Sequence, residues 1–246
     1  MSIKKHIPNF ITLLNLLAGI ISIYLGMKGE LQLSASLIFL AAIMDFLDGM
    51  LARVLNAKSP IGAQLDSLAD IVSFGVAPAF VFFHTINMVL EMNGQSDLDY
   101  LAFSAFVVPL FSAVRLAKFN IDENQTESFI GLPTPATGLL LASFPIMIIV
   151  CLADNKGLYY DLSTNVYFLV SVAIVSSLLM VSRLPMFALK FTSLSWAENQ
   201  IRYIFIILSV FLIILLKLAA IPLIVLMYVL ISLVVALTNS KPEHEQ

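Results

Sequence analysis

Eight stretches of this chain, roughly 9–27, 31–54, 66–90, 100–119, 137–153, 164–182, 201–217 and 220–237, are each apolar for about the length a helix needs to cross a bilayer. No other feature limits the fold so strongly. Only 12% of the residues are charged and 60% are hydrophobic, whereas soluble domains carry charge on about a quarter of their residues. So few charges cannot cover a water-soluble surface, and lipid is the expected solvent for most of the chain. The expectation is an all-α fold, a polytopic membrane helix bundle of about eight transmembrane helices. The breaks between spans are short and polar or helix-breaking, as at Lys28-Gly29-Glu30, Asn56 to Pro60 and Glu91 to Asp99.

The distribution of Lys and Arg sets the orientation. With both termini cytoplasmic, Lys4, Lys5, Arg53, Lys58, Arg115, Lys118, Arg183, Lys190, Arg202 and Lys241 fall inside, and only Lys28, Lys156 and Lys217 fall outside. An odd number of spans would destroy this asymmetry. The net charge of −3 gives no electrostatic basis for binding nucleic acid. The single cysteine, Cys151, excludes a disulfide framework and reads as a small packed residue. His6, His84 and His244 are scattered without metal-ligand spacing.

The chemistry is concentrated between residues 45 and 70. Asp45 and Asp48 are three apart near the end of the second span, and Asp66 and Asp70 are four apart at the start of the third. Residues at those spacings share a helix face, and the short loop from Asn56 to Pro60 makes the two helices antiparallel neighbours. All four carboxylates can therefore meet at one interface, taken here as the inner one. An acid in a membrane helix is costly and marks a functional site by default. Four together repel unless cations neutralise them, and an oxygen-only donor set suits magnesium, manganese or calcium. Two such divalent cations can clamp a pyrophosphate. Gly49 and Ala52 lack bulk and let a nucleotide approach the backbone, and Arg53 offers a guanidinium fork to phosphate. Gly62 frees the loop to set one helix against the other. The rival from another class is a cation-coupled transporter, because intramembrane acids also mark ion pathways. Against it, the acids cluster at one interface instead of spanning the membrane.

The full pattern Asp45-x2-Asp48-Gly49-x2-Ala52-Arg53-x8-Gly62-x3-Asp66-x3-Asp70 resembles the signature of the CDP-alcohol phosphotransferase family, with no position departing from it. The resemblance implies a six-helix catalytic core, here 1–182, followed by two additional C-terminal membrane helices and a short polar tail in 183–246. It also implies a homodimer, two divalent cations, and transfer of a phosphatidyl group from a CDP-linked lipid to an alcohol with release of CMP. Carried over, Asp45, Asp48, Asp66 and Asp70 become the metal ligands, Asp70 also the base, and Gly49, Ala52 and Arg53 line the CDP moiety.

Within the family, four segments resemble the members whose substrates are CDP-diacylglycerol and L-serine. The first runs from Pro8 to Gly19, where Asn9 and Thr12 share a face and are candidates for binding the nucleotide. A helix cap is the alternative role for Asn9. The second runs from Asp66 to Pro78 and includes Ser73, a candidate substrate contact. Its Ile71 stands where phosphatidylglycerophosphate synthases characteristically have Lys. The third, Arg115 to Asn120, offers Arg115 to the serine carboxylate, with a positive-inside anchor as the alternative. The fourth, Phe129 to Ala136, supplies a Gly-Pro loop able to shape the acceptor pocket. Inositol, inositol phosphate, glycerol phosphate and choline remain as other acceptors.

Overall fold

The computed structural model describes residues 6–121, 129–154, 157–187 and 195–239. Lys4, Lys5, Lys156, Lys190, Lys241, His244 and the acidic tail lie outside these residues, as does the side chain of Cys151. The described chain is helical apart from short connections and one two-residue strand pair. Helices α1 (Ile7–Met27) and α2 (Leu31–Val54) form a hairpin, and α3 runs through Pro60–Met92. Helix α4 covers Ser96–Ile121, starting as a 3₁₀ segment, and α5 covers Thr134–Asp154. A short α6 (Leu158–Ser163) leads to α7 (Val166–Val181), followed by α8 (Trp196–Leu216) and α9 (Ile221–Asn239).

Six of these, α1 to α4, α8 and α9, are long and apolar enough to cross a membrane. The apolar parts of α5 and α7 are shorter, at Thr134–Ile149 and Val166–Val181. A 16-residue helix such as α7 rises only about 24 Å. The eight apolar segments thus appear in the expected order as a multi-pass bundle. Its outside is studded with exposed large apolar side chains, among them Phe10, Phe46, Ile121 and Ile214, a surface suited to lipid. One boundary differs from expectation. Helix α3 begins at Pro60 rather than near 66, because hydropathy marks where lipid begins and not where the helix starts. Ser59 caps it, its Oγ accepting from the Gly62 N–H at 3.1 Å, and Pro60 occupies the first turn, where no N–H is needed.

Close packing of α1, α2, α3 and α5 rests on small residues, as expected where lipid supplies no hydrophobic drive between helices. Ser22 and Ser34 exchange hydroxyl-to-carbonyl bonds between α1 and α2, at 2.8 and 2.6 Å. A Cβ on Gly19 would come within 2.6 Å of Ser73 Oγ, and one on Gly138 within 2.9 Å of Phe74 Cα. Helix α3 is not regular throughout. Residues Ile71–Val76 form a π-helical turn, with the Ala77 N–H bonded to the Val72 carbonyl five residues back. Pro78, which has no N–H to offer the Phe74 carbonyl, lies just beyond. π turns of this kind occur frequently at functional sites, and this one follows Asp70 directly.

The loop between α4 and α5 is tied to the end of α7. Strand β1 (Phe129–Ile130) pairs antiparallel with β2 (Pro185–Met186), in the register Phe129 to Met186 and Ile130 to Pro185. Gly131 and Leu132 then donate to the carbonyls of Leu184 and Leu179 at 2.9 and 3.0 Å. Gly131 has φ of 75°, and a Cβ there would lie 2.4 Å from the Met180 carbonyl oxygen. A left-handed backbone alone costs a non-glycine residue about 1–2 kcal/mol, and the overlap adds to it. Gly131→Ala should therefore lower the thermal unfolding midpoint of the detergent-solubilised protein by at least about 2–8 °C. An unchanged midpoint would mean that this loop does not hold the conformation described.

Candidate active site

The site is built where α1, α2 and α3 meet at one end of the bundle. Asp45 and Asp48 stand in the last turns of α2, and Asp66 stands in the second turn of α3. One carboxylate oxygen from each of these three lies within 4.8 Å of the others. Asp45 lies close enough to both Asp66 and Asp70 to interact with each, so the fourth acid adjoins the trio through Asp45. Asp48 is buried and accepts a 2.6 Å hydrogen bond from Thr12 Oγ1 on α1. Asp70 is buried too, and its Oδ1 has no protein partner.

Beside the acids opens a cleft of about 320 Å³. Asn9, Thr12, Gly49, Ala52 and Arg53 all line it, together with Asp48, Asp66 and Gly62. The sequence suggested each of these positions separately, and the structure brings them onto one wall. Asn9 is not a helix cap, because α1 starts at Ile7 with His6 in the N-cap position. Its Oδ1 instead lies 3.0 Å from where a Cβ on Gly62 would sit. A side chain at 62 would therefore push against the cleft wall, which gives Gly62 a packing role there.

Two expected substrate contacts fare differently. Ser73 does not join the cleft lining. It is fully buried between α3 and α1, its hydroxyl donating to the Asn15 carbonyl at 3.0 Å and filling the space left by Gly19. Its hydroxyl is thereby committed to the packing of α3 on α1. Arg115 lies deeper in the bundle than an interfacial anchor. It is buried, its Nη1 donates to Thr134 Oγ1 at 3.1 Å, and its Nε has no partner. It lies within electrostatic reach of Asp70. Asn120, in the same segment, accepts from Ser67 Oγ at 3.0 Å and ties the end of α4 to α3.

Sequence reasoning missed three residues. Lys58 and Ser59 line the cleft from the α2–α3 loop, and the Ser-Pro pair that caps α3 was the available signal. Asn15, one turn beyond Thr12, is fully buried with neither amide atom bonded. A buried polar group without a partner is costly. The unbonded Asn15 amide and the Asp70 oxygen leave two uncompensated polar groups in the interior close to the acids.

The donor set suits a hard divalent cation. It is all carboxylate oxygen, converging within a few ångströms, with buried acids that repel one another unless neutralised.

Such a molecule falls in the class of polytopic membrane proteins with an acidic, nucleotide-sized cleft at one end of the bundle. The family model for CDP-alcohol phosphatidyltransferase matches residues 5–179. The chain belongs to the CDP-alcohol phosphatidyltransferase family. It is similar to proteins named CDP-diacylglycerol–serine O-phosphatidyltransferase. The Helicobacter pylori protein is 34% identical over 179 residues, 72% of this chain and 70% of the relative. The Methanocaldococcus jannaschii protein is 41% identical over 145 residues, 58% of this chain and 63% of the relative. The Bacillus subtilis protein is 33% identical over 166 residues, 67% of this chain and 90% of the relative.

A cation held by the aspartates should relieve their repulsion and so stabilise the fold by linkage. Treatment with a chelator should lower the thermal midpoint, and magnesium or manganese should restore it. Asp66→Asn should reduce the restoration. A midpoint indifferent to both treatments would remove the metal from the account.

Proposed function

We propose that this protein transfers a phosphatidyl group from CDP-diacylglycerol to the hydroxyl of L-serine, releasing CMP, in phospholipid biosynthesis. The observation that carries the reading is the single cleft that joins the nucleotide-motif residues Gly49, Ala52 and Arg53 to Asp48 and Asp66. The names of the relatives support serine as the acceptor, as does Ile71 in place of a lysine after Asp70.

In this reading Asp45, Asp48, Asp66 and Asp70 hold two divalent cations, magnesium or manganese with calcium as the other candidate. When bound there, the ions supply charge neutralisation at the pyrophosphate and its leaving group. Asn9, Thr12, Gly49 and Ala52 bind the CDP moiety, and Arg53 pairs with phosphate oxygens. Arg115 binds the serine carboxylate from the far side of Asp70. Asp70 takes the proton of the serine hydroxyl as that oxygen bonds to the phosphorus bearing diacylglycerol. The bond from this phosphorus to the bridging oxygen breaks, and CMP departs with that oxygen. No serine, cysteine or histidine stands in an evident nucleophile constellation among the described residues, which favours direct attack over a covalent intermediate.

The reading extends to the cell. Family membership suggests a homodimer in the cell membrane, and the asymmetry of Lys and Arg along the chain supports both termini and the site on the cytoplasmic side. The catalytic core is 1–182, and 183–246 adds two helices. The end of the family match at residue 179 supports that division.

Purified protein in detergent should convert radiolabelled serine to lipid only when CDP-diacylglycerol is supplied, with stoichiometric CMP. Asp70→Asn should lower the rate by about 10²–10⁴-fold, the usual worth of a general base, while the protein stays folded. Preference for another alcohol in a side-by-side assay would replace serine. Near-normal turnover in Asp70→Asn would defeat the base assignment.

A further inference from the structure

Arg115 is oriented by Thr134, the first residue of α5, which directly follows a loop with an unusual anchor. The Gly131–Pro133 segment hangs on the end of α7 through bonds to Leu179 and Leu184, and β1 pairs with β2. Strand β2 leads into Phe187, whose carbonyl accepts the Tyr228 hydroxyl at 3.0 Å. Tyr228 lies in α9 and is 8% exposed. Its ring packs on Phe187 and Phe205, with centroids 4.8 and 5.7 Å away, so the phenol is locked in place. Tyr228 also lies within electrostatic reach of Arg115. Hydrogen bonds joined by short stretches of main chain thus connect α9 to the Arg115 guanidinium. Helix α9 lies wholly outside the residues matched by the family model.

A buried phenol deep in an apolar helix needs a hydrogen-bond partner. Packing alone would be met by phenylalanine, which fills the same aromatic niche without a proton to place. The hydroxyl is directed at the one carbonyl that continues the strand holding the acceptor loop. Arg115 has a guanidinium nitrogen free of protein partners, as a group meant for a substrate carboxylate requires. Resting on the serine reading, we propose that Tyr228 is a positioning residue for the acceptor pocket. Through Phe187 and the β1–β2 pair it holds the Thr134–Arg115 wall in register and so sets the affinity for the amino-acid carboxylate. The added C-terminal helices thereby act on acceptor binding and not on the nucleotide cleft, which none of their described residues line.

The test uses the full-length protein and measures initial rates against serine and against CDP-diacylglycerol separately. Tyr228→Phe should raise the KM for serine by about 3–10-fold, the worth of one hydrogen bond. The KM for CDP-diacylglycerol and the kcat at saturating serine should stay within about twofold. A combination with Thr134→Val should raise the serine KM no further than the larger single change, because both act through one contact. An unchanged serine KM in Tyr228→Phe, additive effects, or parallel loss for both substrates with a lowered thermal midpoint would overturn the proposal. A wild-type protein that turns over CDP-diacylglycerol but not serine would overturn the serine reading, and the inference with it. Normal wild-type serine kinetics with an indifferent Tyr228→Phe would overturn the inference alone.

Discussion

Mutual repulsion among four acids in a membrane bundle is the constraint on which the rest of this structure depends. Carboxylates this close in a medium of low dielectric destabilise the fold unless something opposes their charge. Three short-range devices keep them together. The α1–α2 hairpin is clamped by the Ser22–Ser34 exchange. The α1–α3 contact is closed by Gly19 against Ser73. Thr12 ties Asp48 to α1 through a 2.6 Å hydrogen bond. These contacts hold the three helices that carry the acids together, so the carboxylates converge through protein packing alone. Preorganised charge of this kind usually contributes the largest share of catalysis.

How much of this was legible in the sequence depended on the range of the interactions. The Asp pattern was legible because helical spacing fixes which side chains share a face, and a five-residue loop fixes which helices are neighbours. Asp45, Asp48 and Asp66 converge for those local reasons. The π turn was not legible. It arises where Pro78 withholds a hydrogen bond inside a helix that neighbouring helices force to continue. Ser73 illustrates the consequence: resemblance pointed to its identity, but a residue inside a widened turn faces α1 instead of the cleft. Lys58 and Ser59 were passed over because a loop carries no periodicity from which a facing can be read. Tyr228 could not be found at all, since its partner lies 41 positions away in the chain.

The geometry separates two sides of Asp70. On one side α1, α2 and the first turns of α3 make the acid-lined cleft. On the other, α4 and α5 carry Arg115 and Thr134. The π turn lies between the two and lets one helix serve both, presenting Asp66 and Asp70 to one set of neighbours and Gly75 to Ser112 of α4 on the other. A reaction that joins a lipid-linked phosphate to a small polar alcohol has that same two-sidedness. Its substrates come from different phases and must meet at one oxygen.

The lipid side follows from α2 itself. Asp45, Asp48 and Ala52 turn inward, while Phe46, Met50 and Val54, spaced four apart, form an exposed stripe along the same helix. A CDP-linked lipid seated with its diphosphate at Asp48 therefore has an apolar rail beside its headgroup. Its acyl chains can stay in the bilayer, and no cavity for them need be opened in the protein. The energetic demand on the fold is then confined to the polar headgroup, which explains how a cleft of nucleotide size suffices for a substrate several times larger. Selectivity for acyl chains should be correspondingly weak, because two-carbon differences in tail length fall outside any wall the protein builds.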